Sequence, residues 1–174
     1  PGRPASERRA VAWGAGHGRA TAEMARGGPL AEELGVDTAV EDVWNKCLRS
    51  PLEAVAFVDS VKSKAVRWHF DVGNVVDTGW PDQWVRILGP RIAKIHVKEF
   101  SRKLRDEKGP YAGFKIVLLL GDSDWPAVMA ALDAVGYSGW RIAGQHRLPD
   151  LAHPASAAPP PPKLPQTTPP QPPP

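Results

Sequence analysis

Cysteine is nearly absent: Cys47 is the only one among 174 residues. A lone thiol excludes a disulfide within the chain and fits a reducing cytoplasm, where the protein is expected to reside. Long hydrophobic runs are also missing. The aliphatic stretch Ile116–Leu120 has the length of a buried strand, far short of the roughly 20 apolar residues of a membrane helix. No membrane partner is expected. The N-terminus lacks the apolar central region of a secretory leader, so no leader is expected. Charge of one sign is scarce as well. The net charge is +3, and Arg3, Arg8, Arg9, Arg19 and Arg26 carry much of the excess. The remainder is close to neutral, which argues against a nucleic-acid partner.

Proline, by contrast, is concentrated. From Pro154 to Pro174 eleven of twenty-one residues are proline. Such a stretch cannot bury enough surface to offset its ordering entropy. The chain therefore divides into a poorly patterned segment 1–28, a core-forming domain 29–148 and a disordered proline-rich tail 149–174.

Within the domain, helical and strand signals alternate. A helix is predicted over Thr21 to Glu33, with Gly35 past its end. A short strand follows at Asp37 to Asp42. Ser50, Pro51 and Glu53 form an S-x-x-E capping box with proline at the first helical position. The run Val66-Arg67-Trp68-His69-Phe70-Asp71 alternates apolar and polar residues strictly, as a strand with one buried face does. A helix from about Asp82 to Leu88 ends at Gly89-Pro90, and a second alternating strand passes through His96. Ser101 to Gly109 reads as a charged loop, and Phe114 to Leu120 as another strand or an apolar loop edge. A helix starts at Asp124-Trp125-Pro126, and Trp140 to Ala143 is a last short strand. Alternating strands and helices imply an α/β fold with a parallel sheet and outer helices.

Glu41, Asp71 and His96 fall at the C-terminal ends of three successive strands, where α/β folds place active sites. A lone Asp at a strand end is usually a cap, and a lone His usually structural. Three in succession point instead to a divalent-metal site of mixed oxygen and nitrogen ligands, suited to Mn, Co, Zn or Mg. Such a metal can hold two adjacent sugar oxygens and polarise a carbonyl, while a carboxylate beside it moves a proton at the neighbouring carbon. Lys98 and Arg102 follow His96 and suit a phosphate or hydroxyl-rich substrate. His69 shares the polar face and is read as a supporting residue. His17, His146 and His153 are read as incidental.

Six segments also carry a resemblance: Val40-Glu41-Asp42-Val43-Trp44-Asn45, Ser50-Pro51-Leu52-Glu53, Phe70-Asp71-Val72-Gly73-Asn74-Val75-Val76, Ile95-His96-Val97-Lys98, Gly121-Asp122-Ser123-Asp124-Trp125 and Gly136-Tyr137-Ser138-Gly139-Trp140. In that order they resemble the xylose-isomerase-like barrel family, and within it the sugar-phosphate isomerase/epimerase group. The resemblance runs from about Leu30 to Gln145. It implies a partial (β/α)8 TIM barrel of about five parallel strands, the second half of the full barrel. It also implies a divalent metal held by a Glu, an Asp, a His and a final Glu, with the two Glu residues moving protons. Glu41, Asp71 and His96 match the first three ligands. Glu41 would be both ligand and acid/base, and Asn74 and Arg102 fall where family members contact a sugar or sugar phosphate.

One departure stands out. Gly144 occupies the place of the fourth ligand and can neither bind metal nor carry a proton. Turnover is therefore expected to be weak or absent. A non-catalytic remnant that binds metal or a partner is the second reading. An endonuclease-IV-like repair enzyme is the third, and it lacks the extra histidines and basic groove that it would need. A homo-oligomer is left open.

Overall fold

The computed structural model describes residues 12–144 apart from Lys46. Four strands, β1 (Thr38–Glu41), β2 (Val66–Asp71), β3 (Ile92–Val97) and β4 (Trp140–Ala143), pair in parallel in sequence order. Helices fill the connections: α1 (Trp13–Leu34) precedes β1, α2 (Pro51–Val61) joins β1 to β2, α3 (Val72–Val76) and α4 (Pro81–Leu88) join β2 to β3, and α5 (Arg102–Lys108) and α6 (Trp125–Ala134) join β3 to β4. Sequential parallel order with helices between the strands is the wall of an α/β barrel, present here as a partial one. No helix among the described residues is long and apolar enough to cross a membrane.

The core lies between the outer face of the sheet and the helices. Trp68, Phe70 and Ile95 pack against Ala54, Phe57 and Val58 of α2, Trp84, Val85 and Leu88 of α4, and Val128, Ala131 and Leu132 of α6. Burying each large side chain contributes roughly 1.5–3 kcal/mol, so this shared interface holds helices and strands in one body. Local signals set the boundaries. At α2 the expected capping box is formed: Ser50 Oγ accepts from Glu53 N and Glu53 Oε2 from Ser50 N. Gly35 ends α1 with φ of 64°, a left-handed conformation that a side chain would strain.

Two expectations change. The first helix begins at Trp13, inside the segment read as poorly patterned, and packs on α2. His17 accordingly meets Phe57 edge-on at 5.3 Å. Residues 102–108, expected as part of a charged loop, are helical because Ser101 Oγ accepts from Leu104 N and Arg105 reaches across to Asp77 at 2.6 Å. Of the two forms expected for Phe114–Leu120, a strand or an apolar loop edge, the second is found. The segment leaves the 3-10 turn Pro110–Phe114 as an irregular stretch with Leu119 at φ of 72°. A buried carboxylate holds it in place of a ladder: Glu99 Oε2 accepts from Leu119 N at 2.9 Å. The tail at 149–174, with His146 and His153, lies outside the described residues.

Candidate metal centre

Strand register assembles the polar face. Glu41 lies beside His69, and Asp71 beside His96. Side chains alternate across a strand, so Glu41, His69, Asp71 and His96 all project from the inner face. The apolar residues between them enter the core described above. The polar residues cluster where β1, β2 and β3 end, because parallel strands in near register finish together.

His96 stands at the centre. Its Nδ1 lies 3.2 Å from Glu41 Oε1 and 3.5 Å from Asp71 Oδ2. His69 meets the His96 ring edge-on at 4.0 Å, and its Nδ1 lies 3.9 Å from Glu41 Oε2. Donor atoms of Glu41, His69 and His96 all fall within 4.8 Å of one another. His69 Nε2 is buried and has no hydrogen-bond partner among the described residues. Burial pushes the His69 imidazole down to about 4, helped by the charges of His96 and Lys94. It is neutral at pH 7, with a lone pair free. A neutral imidazole within 4.8 Å of Glu41 and His96 donor atoms fits a divalent cation of the Mn, Co or Zn kind. Lost hydrogen bonding at a buried nitrogen is otherwise a cost of about 1–3 kcal/mol.

Asp71 is held tightly. Its side chain is 2% exposed, Oδ1 accepts from Asn74 N at the start of α3, and Oδ2 lies 3.3 Å from Lys98 Nζ. Lys98 also donates to Asn74 Oδ1 and lies 4.3 Å from the centre of the Phe114 ring. Asn74 Nδ2 in turn donates to Asp42 O at 2.7 Å. Lys98 and Asn74 thus stand beside the cluster. Arg102 stands further out, at the start of α5, where its backbone N–H donates to Asp122 Oδ2 and its guanidinium to Gly79 O. Gly144 follows β4, with its N–H donating to Val97 O at 3.1 Å. It continues the line of Trp140 and Ile142, the partners of Lys94 and His96. A Cβ there would meet nothing within 4 Å.

Three residues have parts that sequence reasoning missed or underrated. The alternation of β2 had put His69 on the polar face, and the register with Glu41 brings it into ligand distance. Asp42 and Glu99 gave no signal, because their partners are distant in sequence. Asp42 Oδ1 accepts from Asp71 N and Trp68 Nε1. Burial holds the Asp42 carboxyl well above the usual carboxylate range, against those hydrogen bonds. Glu99, fully buried, accepts from Phe100 N, Ser123 N, Leu119 N and Trp125 Nε1.

Known proteins share this arrangement of elements. A family model described as "Xylose isomerase-like TIM barrel" matches residues 1–162. An inosose dehydratase of Geobacillus thermodenitrificans is 28% identical over 139 residues, covering 73% of this chain and 46% of its own. The D-psicose 3-epimerase of Clostridium cellulolyticum H10, solved with D-tagatose, superposes with a TM-score of 0.65 at 20% identity, over 79% of this chain and 44% of its own. The 3-keto-D-glucoside 4-epimerase of E. coli gives 0.64 at 14% identity, over 89% and 55%. The chain spans about half the length of the relatives it matches.

Proposed function

The chain belongs to the xylose isomerase-like TIM barrel family, and from that premise we propose a sugar or sugar-phosphate isomerase or epimerase that works with a divalent metal. Glu41, Asp71 and His96 would hold the ion, and His69 offers a further nitrogen. The observation that carries this reading is the convergence on His96 Nδ1 of Glu41 at 3.2 Å and Asp71 at 3.5 Å, with a donor atom of His69 within 4.8 Å of those of Glu41 and His96. The ion, when bound, supplies a Lewis acid that polarises a sugar carbonyl and gathers its neighbouring oxygens.

The remaining chemistry belongs to side chains. Glu41, with its side chain 32% exposed, is the more accessible carboxylate and takes the proton from the carbon next to the carbonyl. Asp71 is buried and committed to Asn74 N and Lys98, so it orients and does not shuttle. Asn74 and Lys98 are placed to meet substrate hydroxyls or phosphate, and Arg102 serves the outer end of the substrate. In this reading Lys98 balances the Asp71 charge at 3.3 Å and orients the Asn74 side chain. With Gly144 just past β4, Glu41 is the one proton carrier of this reading among the described residues. Epimerisation removes a proton from one face of a carbon and delivers one to the opposite face, so a single carrier makes net turnover weak or absent.

Two measurements test this. Calorimetric titration with Mn2+ should show one site per chain, lost in Glu41→Gln and His96→Ala. Incubation in D2O with ketohexoses, ketopentoses, their phosphates and an inosose should exchange the proton next to the carbonyl, even where net turnover is slow. Loss of water from a keto-sugar starts with the same proton removal, which is why the inosose belongs in the panel. Absence of a metal site, or exchange that survives in Glu41→Gln, would overturn the proposal.

A further inference from the structure

Beside the metal centre stands a wall of aromatic rings that the proton chemistry does not use. Trp44 follows β1, Phe100 and Phe114 follow β3, and Tyr111 lies in the 3-10 turn Pro110–Phe114. Trp44 is the hub. Its ring centre lies 4.8 Å from Phe114, 5.4 Å from Phe100 and 5.7 Å from Tyr111. Phe100 meets Phe114 edge-on at 4.8 Å. The rings are graded in exposure: Phe100 is fully buried, Trp44 and Phe114 are half-buried, and Tyr111 is 73% exposed. The sequence fixes the wall locally. A Cβ at Gly113 would collide with the Phe100 ring, so only glycine lets the turn press onto it. Gly113 O accepts from Ser101 N at 2.8 Å, and Trp44 Nε1 donates to Asn74 O at 3.0 Å. Rings held in advance cost a ligand little ordering.

The wall is continuous with the metal centre. Lys98 Nζ lies 3.3 Å from Asp71 Oδ2 on one side and 4.3 Å from the centre of the Phe114 ring on the other. Asn74 joins the same two regions: its Oδ1 accepts from Lys98, and its carbonyl accepts from Trp44. A molecule whose hydroxyls meet Lys98 and Asn74 therefore reaches aromatic carbon next. The cations at this rim already have partners. Arg105 lies 2.6 Å from Asp77 and 2.9 Å from Asp106, Lys98 is held by Asp71, and the Arg102 guanidinium donates to Gly79 O. A phosphate dianion would have to compete with these contacts, whereas a hydroxyl, both donor and acceptor, can join them.

We propose that this wall is a subsite for a ring substituent, so that the substrate is an unphosphorylated keto-sugar glycoside and not a sugar phosphate. The inference rests on the reading of the metal centre as a sugar site and narrows its substrate class. The sugar hydroxyls meet Lys98 and Asn74, and the substituent lies against Tyr111 and Trp44. Ligand sites commonly pair a few fixed polar groups with apolar and aromatic walls. The substituent gains from leaving water and from ring-to-ring contact with Tyr111, the ring of the wall with most surface to offer.

Ligand-detected NMR titration tests this with unreactive probes: phenyl β-D-glucopyranoside, methyl β-D-glucopyranoside and glucose-6-phosphate. EDTA is present throughout, so the result does not depend on metal. The phenyl glucoside should bind about tenfold more tightly than the methyl glucoside. In Tyr111→Ala that advantage should fall to about twofold or less, and Tyr111→Phe, which keeps the ring, should retain it. Tyr111 is largely exposed, so both variants should fold, as circular dichroism will verify. Equal binding of the two glucosides, an advantage undiminished in Tyr111→Ala, or tighter binding of glucose-6-phosphate than of the phenyl glucoside would overturn the proposal. Calorimetric Mn2+ titration separates this from the underlying reading. A Mn2+ site without a phenyl advantage removes the subsite alone, and a phenyl advantage that depends on Tyr111 without a Mn2+ site upholds the subsite and removes the metal.

Discussion

Replacing Glu99 by Gln changes one atom and should cost about 2–3 kcal/mol of stability. The buried carboxylate accepts from four donors. Oε1 takes Phe100 N at 3.1 Å and Ser123 N at 3.0 Å; Oε2 takes Leu119 N and Trp125 Nε1, each at 2.9 Å. An amide has one oxygen, so in either orientation its NH2 group faces two N–H donors. The lower-energy choice keeps oxygen toward Phe100 and Ser123, whose hydrogen bonds are buried, and turns NH2 toward Leu119 and Trp125. Those two donors then lose a charged acceptor, at about 1–3 kcal/mol each. Both are only part-buried and water can reach them, which places the pair near the low end. The loss is large beside the 5–15 kcal/mol that typically stabilises a domain. Urea denaturation followed by circular dichroism reads it directly: with m about 1–3 kcal/mol/M, the midpoint should fall by about 0.7–3 M. A loss below about 0.5 kcal/mol, the scatter of neutral surface changes, would refute the view that Glu99 anchors the segment after Phe114. Gly121 gives the anchor its second constraint, since a Cβ there would collide with the Phe100 carbonyl oxygen and with Glu99.

Two further outcomes concern the metal centre. The folded His69 imidazole titrates near 4, against an ordinary 6.5. Between those values the unfolded chain binds the proton and the folded chain does not. With EDTA present, stability should therefore be full above about pH 6.5 and fall as pH drops toward 4. The part of that slope due to His69 should vanish in His69→Gln, measured as urea midpoints at pH 5 and 7; an unchanged slope would count against it. Gly144→Glu should tighten Mn2+ binding by about tenfold, equivalent to about 1.4 kcal/mol, because the new side chain enters open space without backbone clash, two residues beyond Ile142, the partner of His96. Calorimetric titration showing equal affinity for both forms would exclude Gly144 as the fourth ligand's position.

The sequence alone determined the alternation of β2 and β3, the capping box of α2 and the Gly and Pro stops of α4. Each of these is local: a period of two residues, a side chain reaching three residues along, or a backbone that cannot continue a helix. The same parity assigned Glu41, Asp71 and His96 to one face. Tertiary structure decided the rest. Whether three residues on one face converge depends on the register between strands, and that register drew His69 into the group. Asp42 and Glu99 make their important hydrogen bonds at sequence separations of 20 to 29 residues, a distance over which no periodicity carries information. The apolar segment after Phe114 shows why this matters. Its composition suits a strand, but its Leu119 N–H is claimed by a buried carboxylate, and that contact exists only once the chain has closed around it.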